Sequence, residues 1–266
     1  MPKLHVQGID LHYITAGQGQ PVLLLHGLGS SARDWEFQFP AFSERYQVVA
    51  VDTRGHGESS KPPGPYSLPL FASDVAGLIK ALEIAPAHVL GISMGGMIAF
   101  QMAVSAPELV SSLVIVNAAP ELIVRTFRER LNLIQRQLIV RLLGMRRMGE
   151  VLGGRLLPKP DQEELRRVFA DRWAENDPKA YRETMKALVG WSVADQLGDI
   201  RCPVLVIAAE NDYTPVALKE AYIKRMPSAK LVVIEDSTHA TPVDQPEKFN
   251  RAVLDFWAAQ SGVLRG

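Results

Sequence analysis

The chain has 266 residues, 47% of them hydrophobic, and its 29 basic residues balance 29 acidic ones. That length and apolar content allow one large domain, or one domain with an insertion, around a sizeable core. The zero formal net charge gives no global basis for binding nucleic acid, and the single cysteine, Cys202, excludes an internal disulfide and fits a reducing compartment.

Residues 4–6 and 11–14 alternate in type about a turn at Gly8 and Asp10, the pattern of a β-hairpin. Three short apolar runs come next. The first, 22–25, ends at His26-Gly27. The second, 48–51, ends at Asp52 and Arg54-Gly55-His56-Gly57, and the third, 88–92, ends at Ser93. Runs this short, apolar throughout and broken by glycine, predict strands buried on both faces of a parallel sheet. Leu70, Val75, Leu78, Ile79 and Leu82 mark the apolar face of a helix between the second and third runs, with Ser73-Asp74 near its start. A further helix is predicted over 94–105, stopping before Pro107, and then a strand over 113–116. From Pro120 to Asp195 the chain is helix-rich, with no strand-like run. A strand at 204–207, a helix near 218–225, a last strand at 231–234 and a helix over 246–259 follow. This order predicts an α/β fold in which helices flank a mostly parallel central sheet. Its core is made of residues 1–119 and 196–266, and residues 120–195 form an inserted helical cap. Right-handed crossovers gather the strand C-termini on one edge, where the sites of such sheets lie.

The residues able to do chemistry fall on that edge. Gly91-Ile92-Ser93-Met94-Gly95-Gly96 lies between a predicted strand and a predicted helix. A serine on so sharp a turn has strained backbone angles, and bulky residues two positions to either side would collide; Gly91 and Gly95 remove the collision. The following helix presents its positive end to Ser93, which favours developing negative charge. Serine is a weak nucleophile that needs a base, and the base needs an orienting acid. His239, just after the last strand, is the only histidine downstream of Ser93 and is the candidate base. The acid belongs after the preceding strand, where Glu210-Asn211-Asp212 follows. Asp212 is the choice; Glu210 competes with it, and Asp236 stays open although it is close to His239 along the chain. The loop after Val116, with Asn117 and then Glu121, is a less favoured route. A tetrahedral oxyanion needs two preorganised N–H donors. The backbone of Met94 supplies one, and that of Leu28, in His26-Gly27-Leu28-Gly29, the other. Arg54-Gly55-His56-Gly57 lacks the Lys-Ser/Thr ending of a phosphate loop and reads as a structural turn. The six histidines have no metal-ligand spacing, and the predicted chemistry requires neither metal nor cofactor.

Together these segments, with Asp52-Thr53-Arg54-Gly55-His56-Gly57-Glu58-Ser59, Asn211-Asp212 and Thr238-His239, resemble the α/β-hydrolase superfamily over nearly the whole chain. Within it, the stretch from Asp52 through Lys61-Pro62-Pro63-Gly64-Pro65-Tyr66 to Gly96 is most similar to 3-oxoadipate enol-lactonases and small carboxylesterases. The resemblance implies an ester or lactone hydrolase in which Ser93, Asp212 and His239 take the triad positions and Leu28 and Met94 the oxyanion positions. Serine at position 93 sets the chain apart from the dehalogenases and epoxide hydrolases of this fold, which carry aspartate there. Leu28 interrupts the glycines of an extended oxyanion motif. Carbon–carbon bond hydrolases and cofactor-free perhydrolases share the Ser-Met-Gly-Gly elbow and stay open, as does a catalytically silent ligand receptor on the same scaffold.

Substrate choice then falls to the cap. Arg125, Arg128, Arg130, Arg136, Arg141, Arg146 and Arg147 are interleaved with leucines and isoleucines, the pattern of a basic amphipathic helix or helix pair. Its first reading is a cap helix with a solvated basic face. A surface for an acidic partner, such as a carrier protein or anionic lipid, and an arginine reaching inward to a substrate carboxylate are the alternatives. The N-terminus lacks a basic start followed by an apolar segment, and no stretch reaches the roughly 18 apolar residues of a membrane span. The sequence therefore reads as a soluble cytoplasmic protein acting on a small ester or lactone.

Overall fold

Eight strands form one sheet in the computed structural model, which describes residues 2–261. They are β1 (Lys3–Val6), β2 (Ile9–Ala16), β3 (Gln20–Leu25), β4 (Tyr46–Val51), β5 (Ala87–Ile92), β6 (Val110–Val116), β7 (Val204–Ala209) and β8 (Ala229–Ile234). The helices are α1 (Phe39–Ser43), α2 (Leu68–Ala81), α3 (Met94–Ser105), α4 (Phe127–Leu156), α5 (Glu163–Ala174), α6 (Pro178–Leu188), α7 (Val216–Ile223), α8 (Thr241–Asp244) and α9 (Pro246–Ser261). Strand order is β1-β2-β4-β3-β5-β6-β7-β8. The pairs β1–β2 and β2–β4 are antiparallel and the others parallel, so the sheet is mostly parallel, as the apolar runs predict.

Register brings the strand ends together. Leu25 of β3 pairs with Val51 of β4 and with Gly91 of β5. Ile92 pairs with Val116, Val116 with Ile207, and Ala209 with Ile234. The residues that follow, among them His26, Asp52, Ser93 and Asn117, therefore leave the sheet along one edge. Strand residues bury both faces: Leu23, Val49 and Val89 join Phe71, Leu78 and Phe100 of α2 and α3, while Val22, Val48 and Leu90 join Phe42, Phe249 and Trp257 on the other side.

Two local features differ from the sequence pattern or sharpen it. Helix α2 begins five residues before Ser73, at Leu68: Ser67 is its N-cap, accepting from the Leu70 N–H at 3.2 Å, and proline stands in its first turn. Asp74 is thus buried mid-helix, where both its oxygens take the Arg54 guanidinium at 2.7 and 2.6 Å. Helix α4 is two helices across a break at Gly144, whose φ of +82° is a conformation that disfavours side chains. No helix among the described residues is long and apolar enough to cross a membrane.

The Arg54–Asp74 pair ties the loop after β4 to α2, and both partners are buried. Removing the carboxylate strands a buried guanidinium. Asp74→Ala should lose about 3–5 kcal/mol, read as a lowered urea midpoint, and Arg54→Met with Asp74→Leu should recover most of it. A single variant as stable as wild type would show that the pair does not hold this loop.

Candidate active site

Ser93 stands between β5 and α3 with φ +55° and ψ −117°, strained values for a residue with a side chain. The strain is imposed by packing. A Cβ on Gly91 would overlap the backbone of Gly95, and one on Gly95 would overlap the carbonyl of Leu25 at the end of β3. The Ser93 N–H donates to the Val116 carbonyl at 2.9 Å, which pins the elbow to β6. Gly27 passes so close that a Cβ there would lie 3.6 Å from that of Ser93.

After β7, Asp212 faces His239. One carboxylate oxygen accepts from His239 Nδ1 at 2.8 Å. The other takes the Lys219 ammonium at 2.6 Å and the Thr214 hydroxyl. Lys219 is fully buried, and its Nζ also donates to the Thr214 carbonyl and hydroxyl, each at 2.6 Å. Burial alone would push the Asp212 carboxyl up. The hydrogen bond and charge of His239, with Lys219 and Thr214, reverse that and lower it to about 2. The remaining carboxylates that sequence reasoning left open lie elsewhere. Glu210 accepts from the Asp236 N–H at 2.9 Å, Asp236 pairs with Lys159 at 2.8 Å, and Glu121 pairs with Arg125 at 2.7 Å.

The far nitrogen of His239 is also occupied. The Tyr213 hydroxyl lies 2.7 Å from Nε2 and its ring stacks on the imidazole at a centroid distance of 4.2 Å, with Ser93 among the side chains that act on the phenol. Taken with the Asp212 contact, this assigns the proton to Nδ1 and leaves Nε2 accepting from the phenol. Most of the Tyr213 surface is exposed, whereas its hydroxyl is engaged in the site; desolvation there and the Asp212 charge push its pKa above the ordinary phenol range.

The backbone N–H groups of Leu28 and Met94 have no partner among the described residues. The loop that carries Leu28 is held from below by His26. Its Nδ1 donates to the Gly27 carbonyl at 2.8 Å, and its Nε2 accepts from the Thr53 N–H at 3.0 Å. Burial lowers the pKa of His26, and burial, with a smaller contribution from the neighbouring His26, lowers that of His56 to about 3. Asn117 ties two other strand ends: its amide donates to the His239 carbonyl at 2.9 Å and its oxygen accepts from the Ala209 N–H at 2.8 Å. The helical segment after β6 covers the same edge. Trp173 packs over Gly29, where a Cβ would meet its ring at 2.6 Å, and Asn176 donates to the Gly29 carbonyl at 2.8 Å. Of the seven arginines at its start, Arg136 is the one that is not exposed; it donates to the Tyr181 hydroxyl and lies over that ring at 5.5 Å.

The structure thus brings Asp212 to His239 and reaches Ser93 through Tyr213. Tyr213, Lys219, Asn117 and His26 were not foreseen in these roles. Adjacency to Asp212 was the signal for Tyr213. Nothing in the sequence marks Lys219, which sits on α7 as any solvated lysine would.

The sequence and fold have counterparts among known proteins. 3-Oxoadipate enol-lactonase 2 of Acinetobacter baylyi is 32% identical over 95% of this chain and 97% of its own length. The crystal structure of the enol-lactonase from Burkholderia xenovorans superposes with a TM-score of 0.89 at 25% identity, covering 97% of this chain and all of that one. A thermophilic esterase from Thermogutta terrifontis gives 0.89 at 25% identity over 98% of this chain and 99% of its own. The alpha/beta hydrolase family matches residues 22–252, and the chain belongs to that family.

Proposed function

We propose that the protein is a serine hydrolase that cleaves a carboxylic ester or lactone through an acyl-enzyme on Ser93. The observation that carries this reading is the run of contacts from Asp212 through His239 and Tyr213 to Ser93, on a strained elbow flanked by two unpaired N–H groups. His239 Nε2 takes the Ser93 proton, and Ser93 Oγ attacks the carbonyl carbon. The N–H groups of Leu28 and Met94 hold the oxygen that becomes negative. Collapse breaks the carbon–oxygen bond. His239 gives its proton to the leaving oxygen, which departs as an alcohol from an ester or stays tethered to the acyl group of a lactone. Water then attacks the acyl-enzyme with His239 again as base. Asp212 orients the imidazole and steadies its charge, and Lys219 with Thr214 holds Asp212. Residues 120–195 act as the cap that selects substrate. Its inward Arg136 suits an acyl group bearing a carboxylate, in keeping with the likeness to enol-lactonases.

Tyr213 holds the site at rest. Its hydroxyl uses the Nε2 lone pair that Ser93 needs, and its exposed ring can swing outward without vacating a core. Entering substrate displaces it.

Ser93→Ala should lower kcat for p-nitrophenyl butyrate by about four orders of magnitude or more. Near-wild-type turnover by that variant sinks the acyl-enzyme. Tyr213→Phe removes one hydrogen bond from the resting state, about 1 kcal/mol, and should raise kcat/KM about fivefold. A tenfold loss of kcat instead would make Tyr213 a proton relay. Asp212 is lowered from 3.8 to about 2. A depressed carboxyl stabilises the fold above its unfolded pKa, so a contribution on the order of 2 kcal/mol is complete above about pH 4 and fades as pH falls toward about 2. Urea unfolding in that window should show the decline in wild type and a shallower one in Asp212→Asn; identical slopes would contradict the shift.

A further inference from the structure

Before Gly144, helix α4 carries two apolar faces. Leu133, Ile139 and Val140 point into the cluster formed with Met148, Trp173 and Tyr181. Phe127, Leu131, Ile134, Leu138 and Leu142 point the other way. All five are exposed, Phe127 at 75% and Leu142 at 72%. At roughly 100° per residue they fall within an arc of about 80°, opposite Val140. The side turned away from the core, where a solvated basic face was expected, is apolar, and the charge lies along its margins. Arg130 and Arg141 flank one edge and Arg128 the other, and none of the three has a carboxylate partner among the described residues. Glu129 is the only acid between Phe127 and Gly149, against six arginines. Its carboxylate is spent on the N–H groups of Arg125 and Thr126 at 2.8 and 2.9 Å, closing the N-cap.

A bare apolar stripe of this kind marks a surface that something covers. We propose that this face docks on an anionic phospholipid bilayer, with the stripe set among the acyl chains at the interface and Arg128, Arg130 and Arg141 on the headgroup phosphates. The charge pattern selects this occupant. A second copy would bring its own Arg128, Arg130 and Arg141 against these three, with the one local glutamate already engaged. A neutral apolar partner would leave the flanking arginines unpaired. An interfacial helix needs an apolar face and basic flanks at headgroup height, and this helix has both. The docking face lies on the opposite side of α4 from Arg136 and stands independently of the hydrolytic reading.

Flotation of the full chain with unilamellar vesicles tests it. Vesicles of phosphatidylglycerol mixed with phosphatidylcholine should carry the protein at least tenfold more strongly than phosphatidylcholine alone, and high salt should weaken the preference. Leu138→Glu with Leu142→Glu should lower binding at least tenfold. Arg128→Gln, Arg130→Gln and Arg141→Gln together should cost about fivefold per arginine and erase the preference for anionic lipid. All these sites are exposed, so both variants should melt as wild type does and keep its hydrolysis of a water-soluble ester. Absence of binding to anionic vesicles, equal binding to both vesicle types, or binding unchanged in the arginine variant overturns the proposal. So does a wild-type dimer in light scattering that Leu138→Glu converts to monomer, since a second copy would then cover the stripe.

Discussion

The site depends on one close approach, the backbone of the β5–α3 turn against the end of β3. Gly95 lies so near the Leu25 carbonyl that a single methyl there has no room. That contact sets the depth of the elbow, and the depth sets the positive φ of Ser93. It also brings the N-terminus of α3 beside the Gly27 loop, as the proposed oxyanion role of the Met94 and Leu28 N–H groups requires. Loosening the turn by the width of a methyl group would relieve Ser93 and separate the two donors. Strain and preorganisation are here two consequences of the same packing.

Parallel strands bring their ends to one edge but do not fix the loops beyond them. Buried polar side chains do that. Asn117 joins the end of β7 to the His239 loop, and His26 joins the ends of β3 and β4. Lys219 is the costlier device, a charge without solvent contact. Its ammonium is matched by one Asp212 oxygen and by both oxygens of Thr214, so its three donors are used. Because that oxygen of Asp212 is already committed, the other is aimed at His239 Nδ1, which leaves the imidazole little freedom to turn.

Legibility from the sequence follows the range of the forces involved. The strands read clearly because burial on both faces makes each a short, continuous apolar run, and the elbow reads clearly because its steric demand falls within five residues. His239 and Asp212, which the structure brings into hydrogen-bond contact, were chosen by their positions after successive strands, a topological argument that needs no side-chain detail. Glu210 could not be separated from Asp212 that way. The two differ by which direction a loop side chain points, and only the structure shows Glu210 turned to the Asp236 N–H. Lys219 was illegible for the same reason, and Tyr213 was marked only by its adjacency to Asp212. The start of α2 was misplaced because Ser73-Asp74 has the composition of a cap, whereas Asp74 is held in the helix by Arg54, twenty residues earlier in the chain.

Helix α4 shows how one element can answer to two environments. Its inner strip is thin: before the break only Val140 is fully buried, with Leu133 and Ile139 beside it. Elements with so little buried apolar area open at a fraction of the global unfolding cost. The break at Gly144 uncouples this half from the half that packs through Met145 and Met148. Arg136, half-buried against Tyr181, lies on the same half as the exposed stripe and faces the other way. The stripe and the arginine are two sides of one stretch of helix that ends at a glycine.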